Sequence, residues 1–130
     1  MPDRIPTIDL LLQRLTSEVR YNKKMVSLFE CFIEYGLDFD RRIDASGNTA
    51  LHFLVNRKTQ DALAAVQFVL DNSANPNVQN DEGDTPLHVA LLNDNTKVAD
   101  LLIQQGADLT ITNQDEETPF QALQRVRWSK

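Results

Sequence analysis

The chain is poor in the residues that build disulfide-rich, phosphate-binding and membrane-spanning proteins. Its 130 residues include one cysteine, Cys31, and four glycines. A single cysteine excludes an internal disulfide framework and fits a reducing compartment. The glycines form no phosphate-binding loop, and no apolar run approaches the roughly 18 residues of a membrane-spanning helix. We therefore expect an intracellular, cytoplasmic protein, with the nucleus as an alternative location.

Positive charge is also scarce. The chain has 13 Lys and Arg residues against 19 Asp and Glu residues, which gives a net charge of −6 at pH 7. This excess of negative charge argues against binding to a nucleic-acid backbone. A partner protein with a basic surface fits better, although net charge governs encounter more than it identifies the partner.

Two stretches of the chain are almost the same, and a third resembles them. Residues 47–52 read GNTALH, residues 83–88 read GDTPLH, and residues 116–121 read EETPFQ. The threonines of the first and second copies are 36 residues apart, and those of the second and third are 33 apart. A repeat of this period predicts stacked structural units without a single closed core.

A second pattern advances in step with the first. Residues 99–108 (ADLLIQQGAD) match residues 66–75 (VQFVLDNSAN), and residues 27–36 match both more loosely. Gly106 follows Ser73 by 33 residues. Because the two half-patterns share a period, they belong to one repeating unit.

These segments resemble ankyrin repeats. The signature of that family is a Gly-x-Thr-Pro-Leu-His turn and helix start, followed by a second helix that ends in Leu-Leu-x-x-Gly-Ala. Residues 44–112 match it closely, and residues 24–43 and 113–127 match it weakly. The resemblance implies an all-α ankyrin-repeat solenoid of stacked helix-turn-helix units with protruding β-hairpin-like turns.

We expect one domain over residues 1–130, divided into four units. They are an N-terminal capping repeat (5–36), a first full repeat with an insertion of three residues around 58–61 (44–76), a second full repeat (80–112) and an incomplete C-terminal repeat (113–130). The predicted helices cover residues 8–20, 24–35, 49–57, 61–72, 85–92, 96–105 and 118–127.

Local chemistry supports the predicted helix start in the second repeat. Thr85 is a good N-cap, and Pro86 suits the first helical position, where its missing N–H costs nothing. Leu87, Ala90 and Leu91 then lie at i, i+3 and i+4 and form one apolar stripe. A single unit cannot cover such a stripe on both of its helices, so neighbouring units must stack.

The last repeat lacks room for its second helix. Leu51, Leu87 and Phe120 hold the same place in the three copies, so we expect equivalent surroundings for them. Too few residues follow Phe120 for a full unit, so either the native chain continues or the stack ends on one helix. A bare end predicts weak self-association through Phe120, Leu123 and Trp128.

Three residues depart from the family pattern in ways that should affect how well each repeat is ordered. Ser73 and Glu116 replace glycines, and Gln121 replaces the expected histidine. We therefore expect the middle repeat to be the best ordered and the third to fray first.

No combination of residues predicts catalysis. His52 and His88 hold the same place in their repeats, where the resemblance implies hydrogen bonds to the Thr and the backbone of the turn. Neither has further ligands at metal-binding spacing, and the acidic turn at 81–84 lacks the calcium-loop pattern. Cys31 lies on an apolar helix and is expected to be a buried structural thiol. We expect no enzyme activity, no metal and no cofactor.

The resemblance implies that a partner binds along the turn tips and the exposed side of each first helix, which form a concave face. Carried over repeat by repeat, it gives a candidate binding surface. Its residues are Arg41 and Arg42 before the first tip, Ser46, Asn48, Asn56 and Arg57 in the first full repeat, Asp81, Glu82, Asp84, Leu92 and Asn93 in the second, and Gln114, Asp115, Glu117 and Arg125 in the third.

Six acids gather on the second and third tips, and Leu92 is an apolar residue beside them. An apolar residue with an acidic rim is typical of a binding hot spot for a basic, partly apolar partner. The alternatives are that the acids only aid solubility and that Leu92 packs against the next repeat.

The leading functional hypothesis is a non-enzymatic protein–protein interaction module, or scaffold. The alternative is a targeting or regulatory segment of a larger multidomain protein or bacterial effector, whose catalytic region is absent here and which would act in the host-cell cytosol. A structural homo-oligomer is a further alternative.

Overall fold

The structure is a computed structural model that describes residues 23–34, 36 and 38–128. These residues form helices and connecting turns, without strands. The predicted helix at 8–20, and with it most of the capping repeat, lies outside the described residues. The helices are α1 (Lys23–Glu34), α2 (Ala50–Leu54), α3 (Gln60–Asp71), α4 (Pro86–Leu92), α5 (Thr96–Gln104) and α6 (Pro119–Trp128).

The helices alternate as the repeat predicts. The helix pairs α2–α3 and α4–α5 are the two full repeats, and α6 opens the third. Thr85 caps α4, because its hydroxyl accepts a hydrogen bond from the His88 N–H at 3.3 Å. Pro86 begins that helix, as its lack of an N–H allows. The all-α repeat architecture predicted from the sequence is confirmed.

One apolar core runs through the stack. It is continuous from Phe29 in α1 through Val66 in α3 to Leu102 in α5. Phe29 packs edge-on against Phe39, with ring centroids 5.6 Å apart. The core is shared between neighbouring units, so each unit depends on the next for its burial.

Two of the three equivalent positions have matching surroundings. Leu51 and Leu87 are 1% and 0% exposed, whereas Phe120 is 43% exposed. Phe120 occupies the same place at the start of α6, but among the described residues no second helix follows to cover it. The prediction of equivalent slots is therefore confirmed for the first two copies and is wrong for the third.

The three-residue insertion lengthens a helix. The second helix of the first repeat, α3, has 12 residues, whereas its counterpart α5 has 9. Thr59 caps α3 by accepting a hydrogen bond from the Ala62 N–H at 3.1 Å. The insertion predicted between the paired helices thus adds a turn to the start of α3, because Thr59 supplies a helix cap there.

Cys31 is exposed, so the prediction of a buried thiol is wrong. The core takes Phe29 from α1, and a helix turns by about 200° over two residues. Cys31 therefore points away from the side that packs.

Candidate functional site

The tips of the repeats are three turns that stack on one another. The Asp81 N–H donates to the Ser46 carbonyl at 2.9 Å, and the Gln114 N–H donates to the Glu82 carbonyl at 3.0 Å. Gly83 makes this approach possible: a Cβ built on it would lie 2.8 Å from the Gln114 nitrogen. The tips are consequently one continuous edge and not three separate loops.

Each turn is also braced by its own side chains. Asn80 Oδ1 accepts hydrogen bonds from the Glu82 and Asp84 N–H groups, both at 3.0 Å. Asp44 and Asn113 make the same pair of bonds in the first and third turns. Side-chain oxygens that accept local N–H groups fix such turns without help from a partner.

Amide side chains connect one turn to the next. The Asn80 Nδ2–H donates to Asn48 Oδ1 at 2.9 Å, and the Asn113 Nδ2–H donates to Asp84 Oδ1 at 3.1 Å. Asn48 and Asp84, two of the predicted partner-binding residues, are therefore engaged inside the stack.

The histidines serve the stack as the resemblance implied. The Thr49 N–H donates to His52 Nδ1 at 3.1 Å, and His52 Nε2 lies 2.8 Å from the Asp84 carbonyl. His88 repeats this arrangement, with Nε2 2.9 Å from the Glu117 carbonyl. A ring that accepts at Nδ1 and donates from Nε2 is neutral. Burial lowers the pKa of His52, which keeps it in this form.

The structure places six acids in the second and third turns, and we call them the acidic edge. They are Asp81, Glu82, Asp84, Asp115, Glu116 and Glu117. Within the described residues, two of the six form ion pairs, Asp81 with Arg42 (Oδ1–Nη1 3.5 Å) and Glu117 with Arg125 (Oε2–Nε 2.6 Å).

Three carboxylates dominate the outer part of the acidic edge. Glu82, Asp115 and Glu116 are exposed and form no ion pair within the described part of the chain. Glu117, by contrast, has a side chain only 14% exposed and is turned inward. The negative surface is thus smaller than the sequence predicted and centres on these three residues.

The first helices of the two full repeats meet at their C-terminal ends. The Asn93 Nδ2–H donates to Asn56 Oδ1 across the units. Leu92, next to Asn93, is half-buried, so part of its apolar side chain remains accessible.

The predicted partner-binding residues differ in how exposed their side chains are. Asn48, Asp84, Leu92 and Glu117 are half-buried. The exposed residues are Arg41, Arg42, Ser46, Asn56, Arg57, Asp81, Glu82, Asn93, Gln114, Asp115 and Arg125.

Sequence reasoning missed Asn95. Its side chain is buried, and its Nδ2–H group donates to the carbonyls of Val55 at 3.0 Å and Arg57 at 2.8 Å. It joins the loop of one unit to the helix start of the next. Asn95 lies outside the repeated motifs, so no pattern marked it.

Sequence reasoning also missed a groove at the last helix pair, which we call the end groove. It has a volume of about 380 Å³ and lies between α5 and α6. The sequence indicated Phe120 and Leu123, but not Ile103, because the exposure of Ile103 depends on what packs beside α5. The lining residues are Leu91, Thr96, Ala99, Asp100, Ile103, Phe120, Leu123, Gln124 and Arg127.

Neither a metal cluster nor a membrane-spanning helix is found in the described part of the chain. Among residues 23–34, 36 and 38–128, no three His, Cys, Asp or Glu side chains gather as metal ligands. No helix in these ranges is long and apolar enough to cross a bilayer.

These features define a class of protein, a solenoid of helix pairs with braced turn tips along one edge. A family model described as ankyrin repeats in three copies matches residues 16–120. The chain therefore belongs to the ankyrin-repeat family.

Similar proteins come from distant organisms. An ankyrin repeat protein of Rickettsia felis is 35% identical over 101 residues, which cover 74% of this chain and 44% of that protein. Neurogenic locus notch homolog protein 1 of Danio rerio is 36% identical over 90 residues, which cover 68% of this chain and 4% of that protein. Protein fem-1 homolog A of Rattus norvegicus is 32% identical over 88 residues, which cover 60% of this chain and 14% of that protein. The chain thus spans less than half the length of each of these relatives.

Proposed function

We propose that this chain is a non-enzymatic module that binds a partner protein with a basic, partly apolar surface through the acidic edge. Ankyrin repeats generally mediate protein–protein interaction. The observation that carries the more specific proposal is the set of Glu82, Asp115 and Glu116, three exposed carboxylates on adjoining turns that form no ion pair with any described residue.

The rigidity of the tips supports this role. The second and third turns are joined through backbone at Gln114 and Glu82, and through side chains at Asn113 and Asp84. Turns that are already fixed lose little conformational entropy on binding. Lys and Arg side chains of a partner would therefore meet carboxylates carried on a fixed backbone, which favours both affinity and fast association.

Leu92 supplies the apolar part of the surface. It is half-buried beside the exposed, hydrogen-bonded Asn56–Asn93 pair. Binding interfaces commonly combine apolar surface with a polar rim. Leu92 and the acidic edge lie at opposite ends of the short helix α4, so one partner can cover both.

The test compares two triple variants with equal charge change. Glu82→Gln with Asp115→Asn and Glu116→Gln removes three charges from the acidic edge. Glu30→Gln with Glu34→Gln and Asp61→Asn removes three from α1 and α3. Proteins captured by the wild type from cell lysate at about 0.05 M and 0.5 M salt are identified by mass spectrometry, and their association rates are measured.

We expect the acidic-edge variant to slow association by about tenfold at low salt, and the control variant to change it little. High salt should weaken wild-type binding and leave the acidic-edge variant nearly unaffected. Equal capture by all three proteins, independent of salt, would reject the proposal.

A second proposal is that the chain acts as the targeting or regulatory segment of a larger protein, including a bacterial effector. It is favoured by the share of the relatives that the chain covers, 44% of the Rickettsia protein and 14% of the fem-1 homolog. An open reading frame that extends beyond residues 1–130 in the transcript would support it, and a reading frame limited to these residues would reject it.

We also propose a cytoplasmic location, which agrees with the exposed free thiol of Cys31. Fractionation of cells that express the chain with an epitope tag tests this, and recovery from the medium or from membranes would contradict it.

A further inference from the structure

The end groove is an apolar surface between α5 and α6, the last two helices of the described residues. Leu91, Ile103, Phe120 and Leu123 contribute its large apolar side chains. Ile103 is 36% exposed and Phe120 is 43% exposed. Covering adjoining aliphatic and aromatic side chains that are this accessible lowers the free energy of the system.

The same surface exists one unit earlier, and there it is covered. Leu87 and Ala90 stand 33 residues before Phe120 and Leu123. Both are 0% exposed. In that unit α5 packs against α3 and α4, which are the counterparts of α5 and α6 at the end groove. The interface between α5 and its two neighbours thus continues into the end groove, where no helix among residues 23–34 and 38–128 covers it.

We propose that the end groove binds one amphipathic α-helix of a partner protein, in the place that α5 holds one unit earlier. The chemistry of that helix follows from α5 itself. Val98 and Leu102, four residues apart, are its most buried large side chains, at 2% and 0% exposure. The partner helix therefore carries two aliphatic residues at i and i+4.

Charged residues at the edge of the end groove further restrict the sequence of the partner helix. Lys97 and Gln67 line a shallow groove between α3 and α5. One unit later, 33 residues after Gln67, the chain has Asp100, which lies on the rim of the end groove. A residue in the place of Lys97 would thus meet a carboxylate and not an amide. The partner helix is expected to carry Lys or Arg directly before its first aliphatic residue, and the opposite rim, with Arg127, favours an acid.

A second copy of this chain fits the end groove less well. Two copies meeting end to end would place groove against groove and leave a channel between them unfilled, which forfeits the contacts that make burial favourable. Each copy also carries a net charge of −6, so the two copies repel each other. A single helix of a partner, by contrast, can lie in the groove of one copy without leaving such a channel.

The probe is a synthetic peptide with the sequence of residues 94–108, which contains α5. A hydrocarbon staple joins its positions 100 and 104, both exposed in α5, because a free helix of this length is only marginally stable in water. The peptide is titrated into the full chain labelled with ¹⁵N, and amide shifts are recorded. We expect saturable shifts in α5 and α6, with a Kd of about 1 mM or tighter.

Variants of the chain locate the binding site. Ile103→Gln and Phe120→Gln should each weaken peptide binding by about tenfold, since each removes apolar contact from the groove. Leu109→Gln is the matched control, because Leu109 is 41% exposed but lies outside the groove. It should leave the Kd unchanged.

A charge exchange tests the orientation. Lys97→Glu in the peptide should weaken binding to the wild-type chain, and Asp100→Lys in the chain should restore it. A peptide with Leu102→Asp should not bind at all, because the aspartate would be buried without a partner.

Failure of the stapled peptide to give saturable shifts, with the chain folded by circular dichroism, would overturn the proposal, as would equal weakening by Leu109→Gln. A mass that rises with concentration in light scattering, and that Phe120→Gln abolishes, would also overturn it and would assign the groove to a second copy. If the reading frame continues past Lys130, loss of peptide binding in the extended protein would overturn it too and would assign the groove to the following segment of this chain. The triple variant of the acidic edge should bind the peptide normally, which separates this outcome from that of the proposed function.

Discussion

Single residues decide where the backbone of this solenoid is strained. Gly36 and Gly106 take positive φ angles of 83° and 98° after their helices, and Ser73 takes the same place with φ 73°. Glu116 likewise adopts φ 59° where the first two turns have glycine. Side chains other than glycine are disfavoured in this region by contact between Cβ and the backbone. Two of the three departures from the family pattern, Ser73 and Glu116, are thus sites of strain, and Asp94, with φ 57°, is a further one.

Ser73→Gly is expected to stabilise the chain by about 1 kcal/mol, because it relieves the left-handed strain and loses only part of that gain to greater freedom of the unfolded chain. Urea unfolding should show a higher midpoint with an unchanged slope. Ser46→Gly serves as the control, since Ser46 is an exposed turn residue without a positive φ. A Ser73→Gly variant less stable than the wild type would contradict this account.

His52 should make stability depend on pH. Burial lowers its pKa in the folded state, and this exceeds the raising effects of the Asp84 carbonyl and of the Asp84 and Asp44 carboxylates, while Arg42 lowers it further. The unfolded residue, with a pKa of about 6.5, then binds protons more readily than the folded one. Its contribution is complete above about pH 6.5 and is lost as the pH falls through that value toward the folded pKa.

Stability measured by urea unfolding should therefore fall between about pH 7.5 and pH 5.5, with a slope of at most about 1.4 kcal/mol per pH unit for this proton. His52→Gln should reduce the slope. Gln121 shows that an amide can serve at this place, since its Oε1 accepts from the Thr118 N–H at 2.9 Å. Equal slopes in the wild type and His52→Gln would show that another group titrates.

At the scale of elements, stacking of the turns depends on close backbone contact. A Cβ on Gly83 would meet the backbone of Asn113 and Gln114 at 2.8–3.0 Å, whereas one on Gly106 would meet nothing within 4 Å. Both glycines have positive φ angles, 78° and 98°. Comparing the two positions therefore separates crowding between turns from backbone strain.

Gly83→Ala is expected to destabilise the chain by at least about 1 kcal/mol more than Gly106→Ala, because only the first must push two turns apart. Thermal or urea unfolding of the two variants gives the difference. Equal losses would mean that the turns separate without a significant free-energy change, and the acidic edge would then not be rigid.

Helix starts could be predicted because their causes are local. Thr85 and Pro86 specify a helix start from their own chemistry, whatever surrounds them. The orientation of α1 could not be predicted in the same way, since the side that packs depends on residues distant in sequence. For this reason Cys31 was assigned to the wrong side.

The candidate site was predictable in position but not in charge. The repeat period alone brought the acids of the second and third turns together. Which of them are neutralised depends on Arg42 and Arg125, whose side chains reach Asp81 and Glu117 from other elements. The two hydrogen-bond partners of Asn95, the carbonyls of Val55 and Arg57, likewise lie across the unit boundary, 40 and 38 residues away in sequence. Interactions between units do not appear in the pattern of a single unit.

At the scale of the whole molecule, stability is close to a sum over neighbouring units, so it should fall where a neighbour is missing. Helix α5 is held between α3 and α4 on one side and faces the end groove on the other. Helix α6 packs against α4 and has no second helix of its own unit within the described residues.

Amide hydrogen exchange in the native state should consequently be faster in α6 than in α5. We expect the Leu123 amide to exchange at least about tenfold faster than that of Leu102, because local opening of α6 breaks contacts with one unit, whereas opening of α5 disrupts two. The measurement is exchange read by NMR under conditions in which closing outpaces exchange. The stapled helix peptide should slow exchange at Leu123 if it fills the end groove, and leave the Leu51 amide unchanged, since α2 lies two units away. Slower exchange at Leu123 than at Leu102 in the free chain would contradict this prediction and would show that contact with α4 alone is enough to hold α6.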